Sequence, residues 1–192
     1  MRLFVALDIT DDVRARIQRF IEGVSGFAPD ARWVSPESLH LTLKFIGEKP
    51  EQSVGEVKTA LLSISSEPLE IAFRGHGFFP GPKHARVFWI GVEAGPQLPA
   101  LAAAVDSALA ALKIPKETHA FSPHITLART GAPTKSKQVG ALSHGFGRLQ
   151  EKLSALSTPQ FGSMTAREFF LYESKPSGKE PRYIKLASFG LA

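Results

Sequence analysis

The chain contains no cysteine. That excludes a disulfide scaffold, thiolate catalysis and any cysteine-ligated zinc or iron–sulfur centre. It contains no asparagine either, so it carries no N-glycosylation sequon. No run approaches the roughly 18 consecutive apolar residues of a membrane-spanning helix, and the opening Met1–Asp8 segment is too short an apolar stretch for a signal peptide. The expected setting is cytoplasmic, with no membrane partner. A G-x-x-x-x-G-K-[ST] phosphate loop is missing, and Gly75-His76-Gly77 lacks the third glycine of a dinucleotide fingerprint. Nor is there a Lys-x-Asp-Gly segment of the kind that ATP-dependent nucleic-acid ligases use to carry a nucleotide. An ATP-driven mechanism is disfavoured, and neither cofactor nor metal is expected.

What remains is an ordinary globular composition: 192 residues, 43% hydrophobic and 21% charged. A chain of this length buries about 70% of its unfolded surface and needs no staple. Twenty-three Lys and Arg face 18 Asp and Glu, a net charge of +5 that weakly favours phosphate-bearing partners.

Hydrophobic spacing predicts helices over 11–24, 51–64 and 98–112, with a short one at 149–156. Thr10 is the expected N-cap of the first. Strands are predicted over 2–9, 32–34, 39–46, 69–73, 86–92, 124–129, 161–164, 168–173 and 182–189. Residues 75–82 read as a turn-rich connector and 130–147 as a loop. Strands that follow one another through short turns, without a strict βαβ rhythm, argue for α+β with antiparallel sheets.

One pattern occurs twice: His40-Leu41-Thr42-Leu43-Lys44-Phe45 and His124-Ile125-Thr126-Leu127-Ala128-Arg129, with 124 − 40 = 84 residues between the histidines. On a strand, residues i and i+2 share a face. His40 with Thr42, and His124 with Thr126, then point away from the core while the aliphatic residues between them point in. A single H-x-T is common in strands. Two copies with matching aliphatic flanks suggest two related lobes, each supplying one imidazole and one hydroxyl to a shared groove. Two imidazoles titrate near neutrality, so one can serve as base and the other as acid. That pair suits in-line displacement at phosphorus, with the hydroxyls and a nearby cation holding the non-bridging oxygens. His76, His84, His119 and His144 show no metal-ligand spacing and read as solvated or structural residues in turns or loops. Lys83, Lys135 and Lys137 read as solvated surface charge.

The paired motifs resemble the two-histidine phosphoesterase superfamily. Within it the chain is most similar to the RNA 2′,3′-cyclic phosphodiesterase family, also called the 2′-5′ RNA ligase or LigT-like family. The likeness runs from Met1–Asp8 through Arg32-Trp33-Val34, 39–48, Gly75–Pro82, Arg86–Val92 and Phe121–Arg129 to Tyr183–Phe189. It implies one bilobal domain over 1–192, with pseudo-symmetric lobes, each an antiparallel sheet with helices outside, and a cleft between them. It implies hydrolysis of an RNA 3′ end bearing a 2′,3′-cyclic phosphate to a 2′-phosphate; the protein is expected to be a monomer. It makes His40 the proton donor and His124 the acceptor, with Thr42 and Thr126 as phosphate partners. Phe45 and Arg129, both at i+5, are expected near the nucleotide. Strict alternation puts i+5 on the wrong face, so each strand must contain a bulge or end before it.

The same motifs are compatible with phosphodiesterases acting on 2′,5′-linked oligonucleotides or ADP-ribose cyclic phosphate, and with ATP-independent 2′-5′ RNA ligation. A non-catalytic RNA-binding protein is the alternative of a different class. It has no need of two titratable groups at matched positions.

Overall fold

Leu3 to Leu7 are five consecutive buried residues, and alternate ones go to different places. Leu3, Val5 and Leu7 join the main core, whereas Phe4 and Ala6 join a small second cluster with Phe170 and Tyr172. This is the signature of a central strand covered on both faces. The computed structural model describes residues 1–131, 145–178 and 180–192. Most of the segment expected as a loop, including Lys135, Lys137 and His144, lies outside the described residues.

Nine strands and four α-helices are described. They are β1 (Arg2–Asp8), α1 (Asp11–Val24), β2 (Arg32–Trp33), β3 (His40–Glu48), α2 (Val54–Leu62), β4 (Leu69–Phe79), β5 (Val87–Ala94), α3 (Gln97–Ala110), β6 (His124–Arg129), α4 (Gly147–Ser154), β7 (Gln160–Ala166), β8 (Glu168–Lys175) and β9 (Arg182–Gly190). They form a four-stranded sheet in the order β3-β1-β8-β9 and a five-stranded sheet in the order β2-β6-β5-β4-β7. Each described strand pairing is antiparallel. The fold is α+β with two antiparallel sheets, and each sheet carries one copy of the His-x-Thr motif, on β3 and on β6.

The sheets do not divide the chain into halves. The four-stranded sheet takes strands from both ends of the sequence, and the five-stranded sheet takes β2, β4 and the middle strands. The helices cross over as well. α1 leaves β1 of the four-stranded sheet and packs on β7 of the five-stranded one, while α3 leaves β5 and packs on β3. One contiguous apolar cluster therefore includes residues of both sheets.

Four expectations change. Residues 75–79 are not a connector: β4 runs unbroken to Phe79. Glycines that suggest a turn serve other purposes here. Gly75 takes a positive φ of 76° at an irregularity between Phe73 and His76, and Gly77 lies beneath the Trp89 ring. His76 consequently sits in a strand and not in a turn or loop, packed near Phe78 and Phe88, with a buried Nδ1 that has no partner among the described residues. The second predicted helix starts as a 3-10 turn at Glu51–Ser53 before α2 proper. Thr10 occupies the N-cap of α1 with an extended backbone, but its hydroxyl makes no capping bond.

Candidate functional site

The required bulges exist, at the same place in both strands. In β3, Val5 pairs with Lys44 and Ala6 with Thr42, so Leu43 is the extra residue. In β6, Phe88 pairs with Ala128 and Trp89 with Thr126, so Leu127 is the extra residue. Each bulge turns two successive side chains inward: Leu43 with Lys44, and Leu127 with Ala128, are all buried. The next residue is thereby returned to the face of the histidine. Phe45 and Arg129 both emerge exposed, and Phe45 is 64% accessible.

The inward turn of Lys44 is paid for by partners. Its ammonium, 3% exposed, donates to the Pro115 carbonyl at 2.7 Å and meets Asp106 of α3 at 2.7 Å and Glu117 at 3.1 Å. Burial pulls its pKa down, but the hydrogen bonds and charges of Asp106 and Glu117 outweigh that and the net shift is upward. This ion cluster fastens the motif strand β3 to the helix that crosses from the other sheet.

β3 and β6 meet across a cavity of about 710 Å³. All six residues singled out by the sequence line it: His40, Thr42, Phe45, His124, Thr126 and Arg129. Both imidazoles are held the same way. His40 Nδ1 lies 2.7 Å from the Ser38 carbonyl, and His124 Nδ1 lies 2.8 Å from the Ser122 carbonyl. A carbonyl can only accept, so Nδ1 carries the hydrogen and Nε2 is left for the cavity. The Ser38 carbonyl is itself positioned by a 3-10 turn, Pro36–Ser38, whose Pro36 carbonyl accepts from the Arg14 guanidinium.

Each ring also has an aromatic brace. Tyr183 meets His40 edge-on at 5.1 Å and Phe4 lies 4.9 Å away. Phe79 meets His124 edge-on at 4.8 Å, with Trp89 at 6.2 Å. Burial lowers the pKa of both imidazoles. The serine carbonyl opposes this in each case, and the Arg129 charge reinforces it.

The wider lining is cationic: Arg2 and Arg32 join Arg129, with Arg32 directly opposite Arg129 across β2 and β6. Glu180 is the carboxylate among the lining residues. Such a cavity can hold an anion between two imidazoles able to take up and release protons. Among the described residues, no cluster of three or more His, Asp or Glu side chains could hold a metal ion.

Sequence reasoning missed the serine carbonyls, the aromatic braces and the two further arginines. A signal for the first was present, because serine stands two residues before histidine in both copies. The arginines are brought in by β1 and β2, and nothing in the motif spacing marks them.

Comparison with known proteins bears on the same residues. The chain matches the family described as LigT like Phosphoesterase over residues 7–89 and again over 90–183. An RNA 2′,3′-cyclic phosphodiesterase of Archaeoglobus fulgidus is 33% identical over 189 residues, covering 98% of this chain and 99% of that one. A protein of the same name from Thermus thermophilus is 34% identical over 200 residues, covering 100% of this chain and 90% of that one. The crystal structure of E. coli LigT complexed with 3′-AMP is 27% identical and superposes with a TM-score of 0.77, covering 99% of this chain and 97% of that chain.

Proposed function

Since the chain belongs to the LigT like Phosphoesterase family, we propose that it acts as an RNA 2′,3′-cyclic phosphodiesterase, converting a terminal cyclic phosphate to a 2′-phosphomonoester. The observation that carries this reading is the matched pair of imidazoles on one cavity, each with Nδ1 tied to a carbonyl, which leaves Nε2 as the nitrogen for proton transfer.

The chemistry follows from that pair. Water attacks phosphorus opposite the bond to O3′. His124 Nε2 takes the water proton as the new P–O bond forms. His40 Nε2 gives its proton to O3′ as the old bond breaks. The hydroxyls of Thr42 and Thr126 donate to the non-bridging oxygens, whose charge grows in the transition state, and Arg129 adds a positive charge at the same place. Phe45, exposed at the cavity, offers a face for the nucleobase.

We read residues 1–192 as one bilobal domain with an internal duplication, working as a monomer. Two observations support the duplication: the family matches the chain twice, and the bulge recurs at the same motif position.

The test is incubation with an RNA ending in a 2′,3′-cyclic phosphate, in EDTA, with the product typed by phosphorus NMR. A single 2′-phosphate is expected. A 3′-phosphate or a mixture of isomers would overturn the donor and acceptor roles. Loss of activity in EDTA with recovery on one divalent ion would overturn the metal-independent mechanism.

A further inference from the structure

A proton donor must be charged before it acts, and His40 is badly placed for that. It is the more enclosed of the two imidazoles, and its neighbours His124 and Arg129 on β6 both disfavour a positive charge. One carboxylate stands against them. Asp8, the last residue of β1, is the direct cross-strand partner of His40, the first residue of β3, and opposed residues in an antiparallel pair present side chains to the same face. Asp8 is not free to wander. Tyr172 Oη on β8 donates to Oδ1, and the Lys185 ammonium on β9 sits 2.5 Å from Oδ2. Lys185 is in turn seated 3.9 Å over the Phe170 ring, and Tyr172 is stacked on Phe4 at 5.2 Å, the same Phe4 that braces His40. Three strands thus cooperate to hold one negative charge beside the imidazole.

We propose that Asp8 is a positioning residue for the proton donor: gripped by Tyr172 and Lys185, its carboxylate faces His40 and favours the charged imidazole. The inference rests on the functional reading above, in which His40 is the donor. Lys185 acts as a brake on the same device, since its positive charge partly cancels that of Asp8. The other titratable groups around His40 are Tyr183 on β9, His124 and Arg129 on β6, and Arg14 on α1 beside Tyr172. None of these supplies a negative charge near neutral pH. The cavity carboxylate Glu180 acts on Tyr183 and is not among the charges that act on His40.

The opposite signs of Asp8 and Lys185 give the test. Asp8→Asn keeps the shape and can still accept from Tyr172, but loses the charge. Its His40 ring resonance, followed by NMR in the full-length protein, should titrate about one pH unit lower than in the wild type, a small shift for loss of a neighbouring opposite charge. The alkaline limb of the kcat profile should fall with it, with about a tenfold loss on that limb and KM little changed. Lys185→Met should move both quantities the other way. An unchanged His40 titration in Asp8→Asn overturns the inference, as does an equal loss of rate at every pH. A shifted titration with an unmoved alkaline limb also overturns it, because Asp8 would then not act through the donor. If the wild-type protein leaves cyclic phosphate untouched, the functional reading falls on that result alone, while the NMR titration still decides whether Asp8 controls His40.

Discussion

A Cβ placed on Gly77 would lie 2.1 Å from the Trp89 ring. The glycine exists so that the indole can lie flat across β4 and brace the wall behind His124. Gly77→Ala should therefore displace Trp89 and cost about 1–3 kcal/mol of stability, the range for overpacking a fitted site. Indole fluorescence measures the first effect and thermal unfolding the second. A variant with unchanged melting and emission would show that the ring adapts.

His40→Ala and His124→Ala should each lower kcat by roughly 10²–10⁴, the scale of one positioned acid or base. Circular dichroism should stay that of the wild type, because both rings face the cavity and not the main core. Near-normal turnover in either variant removes that histidine from the mechanism.

The pH dependence has a definite sign. With His124 as the proposed base and His40 as the proposed donor, the base must be neutral and the donor charged, so the acid limb of kcat/KM should report His124 and the alkaline limb His40. Burial lowers the pKa of both below the usual 6.5. The bell for the free enzyme should thus lie on the acid side of an ordinary imidazole. In the complex, the bound phosphate charge favours both charged rings, so the kcat profile should sit at higher pH than that of kcat/KM. Profiles in the reverse order would argue against phosphate lying between the two rings.

Thr42→Ala and Thr126→Ala should lose about 1.5–3 kcal/mol of transition-state stabilisation, one hydrogen bond to a charged oxygen. The serine variants should retain most activity. If serine and alanine are equally damaged, the threonine methyl is what matters, and the contribution is packing.

Lys44→Met should keep the volume of the side chain while stranding Asp106 and Glu117 without their cation. Desolvation alone would raise the Asp106 carboxyl, but Lys44 reverses this and holds it below its usual 3.8. A carboxylate with a lowered folded pKa contributes stability that is present above the unfolded value and fades as pH falls through the folded one. The variant should accordingly melt lower than the wild type at pH 7, and the gap should narrow below about pH 4. Differential scanning at both pH values decides; a gap independent of pH would mean that the ion pairs contribute nothing through titration.

The repeat of His-x-Thr was legible because strand periodicity is short and local: two residues fix which side chains share a face. The same rule failed at Phe45 and Arg129. Only an extra residue, Leu43 or Leu127, brings them round, and an extra residue is a property of pairing with a neighbour strand. β4 failed for a related reason. Gly75 and Gly77 look like turn residues in isolation, yet one relieves a bulge and the other makes room for an indole from β5. The contribution of Asp8 could not be read locally either, since 32 residues separate it from His40 and only the β1–β3 register joins them. The helices were visible as helices, but which sheet each would cover was not, because amphipathic spacing marks a buried stripe without naming what buries it.

The position of β1 has a consequence for how the protein is made. It lies between β3 and β8, so the sheet that presents His40 has an open flank until Glu168–Lys175 is available to close it. During synthesis the first motif emerges early, yet Phe4, Tyr172 and Tyr183, which surround it, come from opposite ends of the chain. A nascent chain stalled before β8 would show an unpaired apolar strand edge, a template for aggregation, and no seated imidazole. On the proposed function, catalytic competence would then arrive in one step with the closing hairpin, and no partial product of translation would open a cyclic phosphate.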